Sequence, residues 1–315
     1  MSPQSVNSVQ FINAHTHLEL SGFQKPIAWT GSFPDWIAEV MKHRSDPAYS
    51  VEKAVRQGME ELRQTGTVAV GNIVQEPDAV FPDIPGRRFL ELIAWNSDRT
   101  RKRLETAESF LRHANSAGLS SGLSPHAPYT ICPELLEGTV ALSRKFKIPL
   151  AIHLAETRDE LELLHHQSGP MLEMMRRADP DYRPEKTLLG DRPLDYLKLL
   201  AEADRAVVIH GNYLDDEEIR FLAAHHEKMS VVFCPVPHRY FGHKRYPLKK
   251  MLDLGVHVAL GTDSRASWPN GPLSMSQTLR VLLQDYPEIP AATALEMATT
   301  NGNVALGIDK TFQDG

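Results

Sequence analysis

Val9-Gln-Phe-Ile-Asn-Ala-His15-Thr-His17-Leu-Glu-Leu-Ser-Gly22 is the stretch on which the fold turns. It opens as a short, mostly apolar run of the kind that forms a buried strand, and a pair of imidazoles follows directly. An open, doubly wound sheet would place a Gly-rich phosphate loop, G-x-G-x-x-G, after its first strand, and none occurs between His15 and Gly22. A closed barrel of alternating strands and helices is therefore the architecture to test along the rest of the chain.

Short β-branched runs alternate with longer amphipathic segments throughout. Eight runs read as strands, at 9–14, 67–74, 88–95, 119–125, 148–155, 205–210, 229–234 and 256–262. Helices are expected between them at 50–65, 99–117, 133–147, 215–228 and 244–254, with Gly66, Gly118 and Gly255 each marking a helix-to-strand junction. Over 315 residues this predicts a single α/β domain, 1–315, folded as a (β/α)8 TIM barrel, with extra C-terminal helices at 273–284 and 290–306. The segment 18–49, carrying Trp29, Phe33 and Trp36, is too long for an ordinary strand-to-helix loop.

Composition narrows the partners. With 34 basic against 40 acidic residues the formal charge is −6, which offers no field for polyanions, so nucleic acid is not expected to bind. No run of about 18 apolar residues and no secretory leader is present, so the expectation is a cytoplasmic protein that does not enter membranes. Cys132 and Cys234 are too few for a disulfide framework and are read as reduced thiols.

The informative residue is histidine, which occurs 14 times. In a TIM barrel the active site lies at the C-terminal ends of the strands. His15 and His17 close the first expected strand, His126 follows the fourth, His153 and Glu156 mark the fifth, His210 ends the sixth and Asp263 follows the eighth. His15 and His17 are two apart, so both side chains leave the strand on one face. Joined by His153 and Asp263, they make a set of nitrogen and oxygen donors that suits Zn²⁺, with iron or manganese able to use the same donors. Glu156 lies three residues beyond His153, where a proton shuttle would stand, and His210 could serve either as a ligand or as a hydrogen-bond partner for the attacking water.

Taken in order, His15-x-His17, His126-Ala-Pro-Tyr-Thr130, His153-Leu-Ala-Glu156-Thr157, His210-Gly211 and Gly261-Thr-Asp263-Ser264 resemble the strand-end motifs of the amidohydrolase superfamily, over about 11–307. Within it they are most similar to the single-metal branch of amino-heterocycle deaminases and chlorohydrolases. The run 13–21, with Pro34-Asp-Trp-Ile37, is similar to the aminodeoxyfutalosine deaminase group. The resemblance implies one Zn²⁺, or Fe²⁺, held by His15, His17, His153 and Asp263. It assigns Glu156 and His210 to catalysis, with Asp263 taking a proton from water, and His126 to the substrate ring; it also suggests a homodimer. No lysine occurs in 119–125, which argues against a two-metal branch, and the H-x-E with P-C-x-x-C signature of cysteine-ligated deaminases is absent.

Three departures from the resemblance matter. Relatives usually carry a small β-sandwich before the first strand, whereas His15 comes so early here that the sandwich is expected to be absent or rudimentary. Cys234-Pro-Val-Pro-His238 stands where Cys-Pro-x-Ser-Asn is usual, and Ser264-Arg-Ala-Ser-Trp268 where Ser-x-Ala-Ser-Asn is usual. His238 and Trp268 thereby become candidate substrate contacts. The expected activity is hydrolytic deamination of an amino-purine, amino-pyrimidine or nucleoside-like small molecule. Release of a halide or opening of a ring amide at the same site, and a metal-binding barrel without catalysis, are the alternatives.

Overall fold

A computed structural model describes residues 9–78, 85–269 and 271–308. All eight expected strands form: β1 (Phe11–Thr16), β2 (Thr67–Val74), β3 (Gly86–Leu92), β4 (Ser121–Pro125), β5 (Pro149–Leu154), β6 (Arg205–His210), β7 (Met229–Phe233) and β8 (His257–Leu260). They lie side by side in chain order, each parallel to the next. The seam between β8 and β1 is drawn together by an isolated bridge, Thr16 to Asp263, and by the Thr262 and Asp263 N–H groups, which both donate to the His15 carbonyl at 3.1 Å. Asn13 and Thr262 reinforce it, the Asn13 amide donating to Thr262 Oγ1 at 2.8 Å and accepting from the Thr262 N–H at 3.0 Å.

Strand alternation explains the nearly continuous hydrophobic runs, because both faces of a barrel strand are covered. Leu90 and Leu92, Ile152 and Leu154, and Val208 face the surrounding helices. Phe89, Ala151, Val207, Ile209, Val232 and Ala259 fill the barrel itself. Glu91 and His153, two residues beyond Phe89 and Ala151, therefore share their inward face, one layer nearer the mouth.

Where the helices differ from expectation, local chemistry accounts for it. The Ser97–Ser116 helix begins before residue 99 because the Asn96 side chain caps it, accepting from the Arg99 N–H at 3.0 Å. The expected 244–254 helix is shorter, Leu248–Asp253, since Pro247 keeps the residue before it out of helical geometry. The expected 290–306 helix is two, Ala291–Met297 and Thr300–Leu306. Thr299, with φ −135° and ψ −96°, turns the second piece under the barrel, where Gly302 sits so close to Ile12 that a Cβ would lie 2.6 Å from its side chain.

The long segment after β1 contains the helix Phe33–Arg44, whose N-cap Ser32 accepts from the Asp35 N–H at 3.3 Å. Phe33, Trp36 and Val40 of this helix pack with Tyr129, Met171, Met175 and Phe241 in a separate apolar layer above the barrel. Among the described residues no helix is long and apolar enough to cross a membrane.

Candidate metal and active site

The strand ends bring together the residues singled out in the sequence. His15 Nε2 lies 3.5 Å and His17 Nε2 3.8 Å from Asp263 Oδ1, and His17 Nε2 lies 3.2 Å from His153 Nε2. His210 joins His15 and His153 within the same small space. On the neighbouring side, His210 Nε2 stands 3.4 Å from Glu156 Oε1. The backbone is bent to achieve this: Ala155, His210 and Asp263 all take left-handed conformations, with φ of 52°, 68° and 59°. Each such residue costs on the order of 1–3 kcal/mol, a strain commonly concentrated at functional sites.

Protonation states follow from burial. Burial pushes His15 and His153 down to about 3 and holds His17 and His210 well below the usual imidazole range. All four are neutral near pH 7. His153 Nδ1 lies 3.1 Å from the His126 carbonyl, which can only accept, so Nδ1 carries the proton and Nε2 presents its lone pair inward. Two neutral nitrogens, His153 Nε2 and His17 Nε2, thus face each other beside the Asp263 carboxylate. Both ring nitrogens of His15 are buried without a hydrogen-bond partner. This donor set fits a divalent cation shared by His15, His17, His153 and Asp263.

Glu156 is held by its neighbours. The Glu160 carboxylate accepts from the Ala155 and Glu156 N–H groups at 2.8 and 2.9 Å, and the Asn212 amide donates to the Glu156 carbonyl at 2.9 Å. Burial, then the nearby Asp263 and Glu160 charges, raises the Glu156 carboxyl well above the ordinary range. That shift favours the protonated form, the one able to donate.

His17, His153, Glu156, His210 and Asp263 open into one cavity of about 420 Å³, within the range that takes a small organic ligand. Beyond the metal-ligand candidates its wall includes Glu91, His126 and Tyr129 on one side and Trp36, Met41 and Met175 on another. Two sequence candidates lie elsewhere. Trp268 is buried in a cluster with Leu18, Leu62 and Val281, because the chain after β8 folds down against the Val51–Gln64 helix rather than across the mouth. His238 is packed among Phe233, His243 and Tyr246 behind β7. Neither lines the cavity. Glu91, Gln75 and Arg44, which do, were not singled out from the sequence. Glu91 could have been found from the alternation that puts it on the face of Phe89, while Arg44 arrives through the unforeseen fold of residues 18–49.

The sequence profile of the amidohydrolase family matches residues 11–312. The chain belongs to this family. A 5-methylthioadenosine/S-adenosylhomocysteine deaminase of Moorella thermoacetica is 30% identical over 317 residues, covering 95% of this chain and 68% of that protein. An aminodeoxyfutalosine deaminase of Deinococcus radiodurans is 27% identical over 321 residues, covering 94% and 72%. The crystal structure of Helicobacter pylori aminofutalosine deaminase with methylthio-coformycin superposes with a TM-score of 0.82 at 22% identity, over 95% of this chain and 74% of that one. That last likeness is one of fold, and it agrees with the (β/α)8 architecture read from the sequence.

Proposed function

We propose that this amidohydrolase removes the amino group of an amino-substituted purine, pyrimidine or nucleoside by hydrolysis, using one divalent ion, most suitably Zn²⁺, held by His15, His17, His153 and Asp263. The observation that carries the reading is the placement of Glu156 and His210 beside that ligand set in a single cavity. The deaminase names of the related proteins support the same chemistry.

A divalent ion bound there would act as a Lewis acid and bring the pKa of water from 15.7 to about 7. Asp263 accepts the proton of the attacking water at its carboxylate. Glu156, protonated in its buried setting, donates to the ring nitrogen next to the amino-bearing carbon, which makes that carbon electrophilic. His210, through Nε2, orients the incoming oxygen and the Glu156 carboxyl. The carbon–oxygen bond forms, a proton passes to the amine, the carbon–nitrogen bond breaks and ammonia leaves. The apolar layer above the mouth limits bulk water.

Elemental analysis of the wild type and of His153→Ala, prepared identically, tests the first half of this reading. About one metal ion per chain is expected in the wild type, as a four-donor site requires, with loss in the variant. Ammonia release from a panel of amino-heterocycles tests the second half. A protein that takes up no metal on reconstitution, or one loaded with metal that releases no ammonia from any of them, would sink it.

A further inference from the structure

The contact between His210 Nε2 and Glu156 Oε1, at 3.4 Å, is longer than a good hydrogen bond, so the two side chains do not fix each other. Their aim comes from the backbone beneath them, and that backbone needs holding. His210 and Gly211 are both left-handed, with φ of 68° and 62°, a conformation costly for His210 and only one of several open to Gly211. The ladder between β6 and β7 ends at the pair Ile209 and Val232. The next carbonyl outward, that of His210, accepts instead from the Tyr246 hydroxyl at 2.8 Å. Tyr246 is itself fixed in place. It is buried, its ring stacks on Phe233 with centroids 3.9 Å apart, and its N–H donates to the Tyr286 hydroxyl at 3.0 Å.

The hold extends to Glu156. Beyond His210 the chain is laced to the end of β5: the Gly211 N–H donates to the Leu154 carbonyl at 3.0 Å, the Tyr213 N–H to the Ala155 carbonyl at 3.1 Å and the Asn212 side-chain amide to the Glu156 carbonyl at 2.9 Å. The backbone of Glu156 is thus tied to the residues that follow the peptide Tyr246 anchors, and a turn of that peptide would displace His210 and Glu156 together. Tyr246 does not line the cavity, so its influence on the site passes through these bonds. We propose that Tyr246 is a positioning residue: by fixing the His210 carbonyl, its hydroxyl sets the aim of both His210 and Glu156. The work assigned to that pair rests on the deaminase reading; the anchoring does not.

Tyr246→Phe removes one oxygen and keeps the stacked ring. In the zinc-loaded enzyme kcat should fall about 10- to 100-fold, the cost of misplacing a catalytic group by up to about 1 Å, while KM and metal content stay as in the wild type. A hydroxyl that served stability alone would lower the melting temperature and leave kcat, measured well below it, unchanged. Long-range proton–nitrogen spectra of protein carrying isotope-labelled histidine read the anchoring without the reaction. The ring signals of His210, assigned by their loss in His210→Gln, should move in Tyr246→Phe. Unmoved His210 signals, an unchanged kcat, or a raised KM with kcat kept would each overturn the proposal. If Tyr246→Phe does not fold, Asn212→Ala cuts the next link in the same chain of bonds; kcat should again fall with KM kept, and normal turnover would overturn the proposal. Moved His210 signals in Tyr246→Phe, with no ammonia from any amino-heterocycle even in the wild type, would uphold the anchor and reject the deaminase reading.

Discussion

At the floor of the barrel Arg87, at the start of β3, donates to the carbonyls of Leu306, Ser121 and Gly307 at 2.5, 2.6 and 2.8 Å, closing off the Thr300–Leu306 helix that plugs the end. At the mouth His15 leaves both ring nitrogens without a hydrogen-bond partner, and His126 Nε2 stands 4.0 Å from Glu91 Oε1 on the cavity wall. Arg87 thus ties strand and helix carbonyls together at the floor, bonds that serve stability rather than ligand binding. The mouth instead gathers titratable side chains around a cavity, on a backbone bent into left-handed geometry at Ala155, His210 and Asp263. A cavity lined by titratable side chains at one end and a bonded plug at the other make a contrast that can be tested directly.

The largest effect is expected at the mouth. Glu156→Gln removes the proton donor while keeping the size of the side chain, and kcat should fall by at least about 10²-fold. Metal content and the melting curve should stay as in the wild type, since Glu156 is not among the ligand candidates. Near-normal turnover in a metal-loaded sample would take Glu156 out of the mechanism. At the floor the signs reverse. Arg87→Met removes three hydrogen bonds to carbonyls, which should cost about 3 kcal/mol of stability. The kcat measured well below the melting temperature should not change. A variant that melted normally but lost activity would show that the two ends are not separate in function.

Much of this division was legible beforehand. Each strand could be located because a barrel strand is buried on both faces and reads as a β-branched run. The ligand candidates could be found because they are rare residue types at strand ends, where chain order alone decides that they meet. The cavity wall was less accessible. Residues 18–49 carry aromatic side chains whose placement depends on packing against helices distant in sequence; Trp36 could be suspected, with Trp29 and Trp268, of walling a flat ring, and it does line the cavity, whereas Arg44 gave no sign of doing so. Trp268 misled for a related reason: a departure from a family motif shows that something changed, but whether the new side chain faces the mouth or the core depends on the path of the chain after β8. Glu91 lay within an expected strand, and the alternation that turns it inward was present in the sequence.

His238 sharpens the boundary, since it comes from the mouth end of β7 and yet is packed like a residue of the floor. Its ring contacts Phe233, His243 and Tyr246, and burial pushes it down to about 4. An imidazole titrates near 6.5 when unfolded, so the unfolded chain takes up this proton first as the pH drops. The stability contributed by neutral His238 is therefore fully present above about 6.5 and is lost as the pH falls toward the folded value. His243, pushed down to about 3 by burial, adds a loss in the same direction, and Asp285 nearby opposes the shift at His238. His238→Asn, which cannot titrate, should lower the melting temperature modestly at neutral pH and fall less steeply than the wild type as the pH is lowered through this range. Its kcat and KM at neutral pH should match the wild type. An unchanged slope would mean that the ring is not neutral and buried in the folded protein, and a raised KM would return His238 to the substrate contacts that the sequence first suggested.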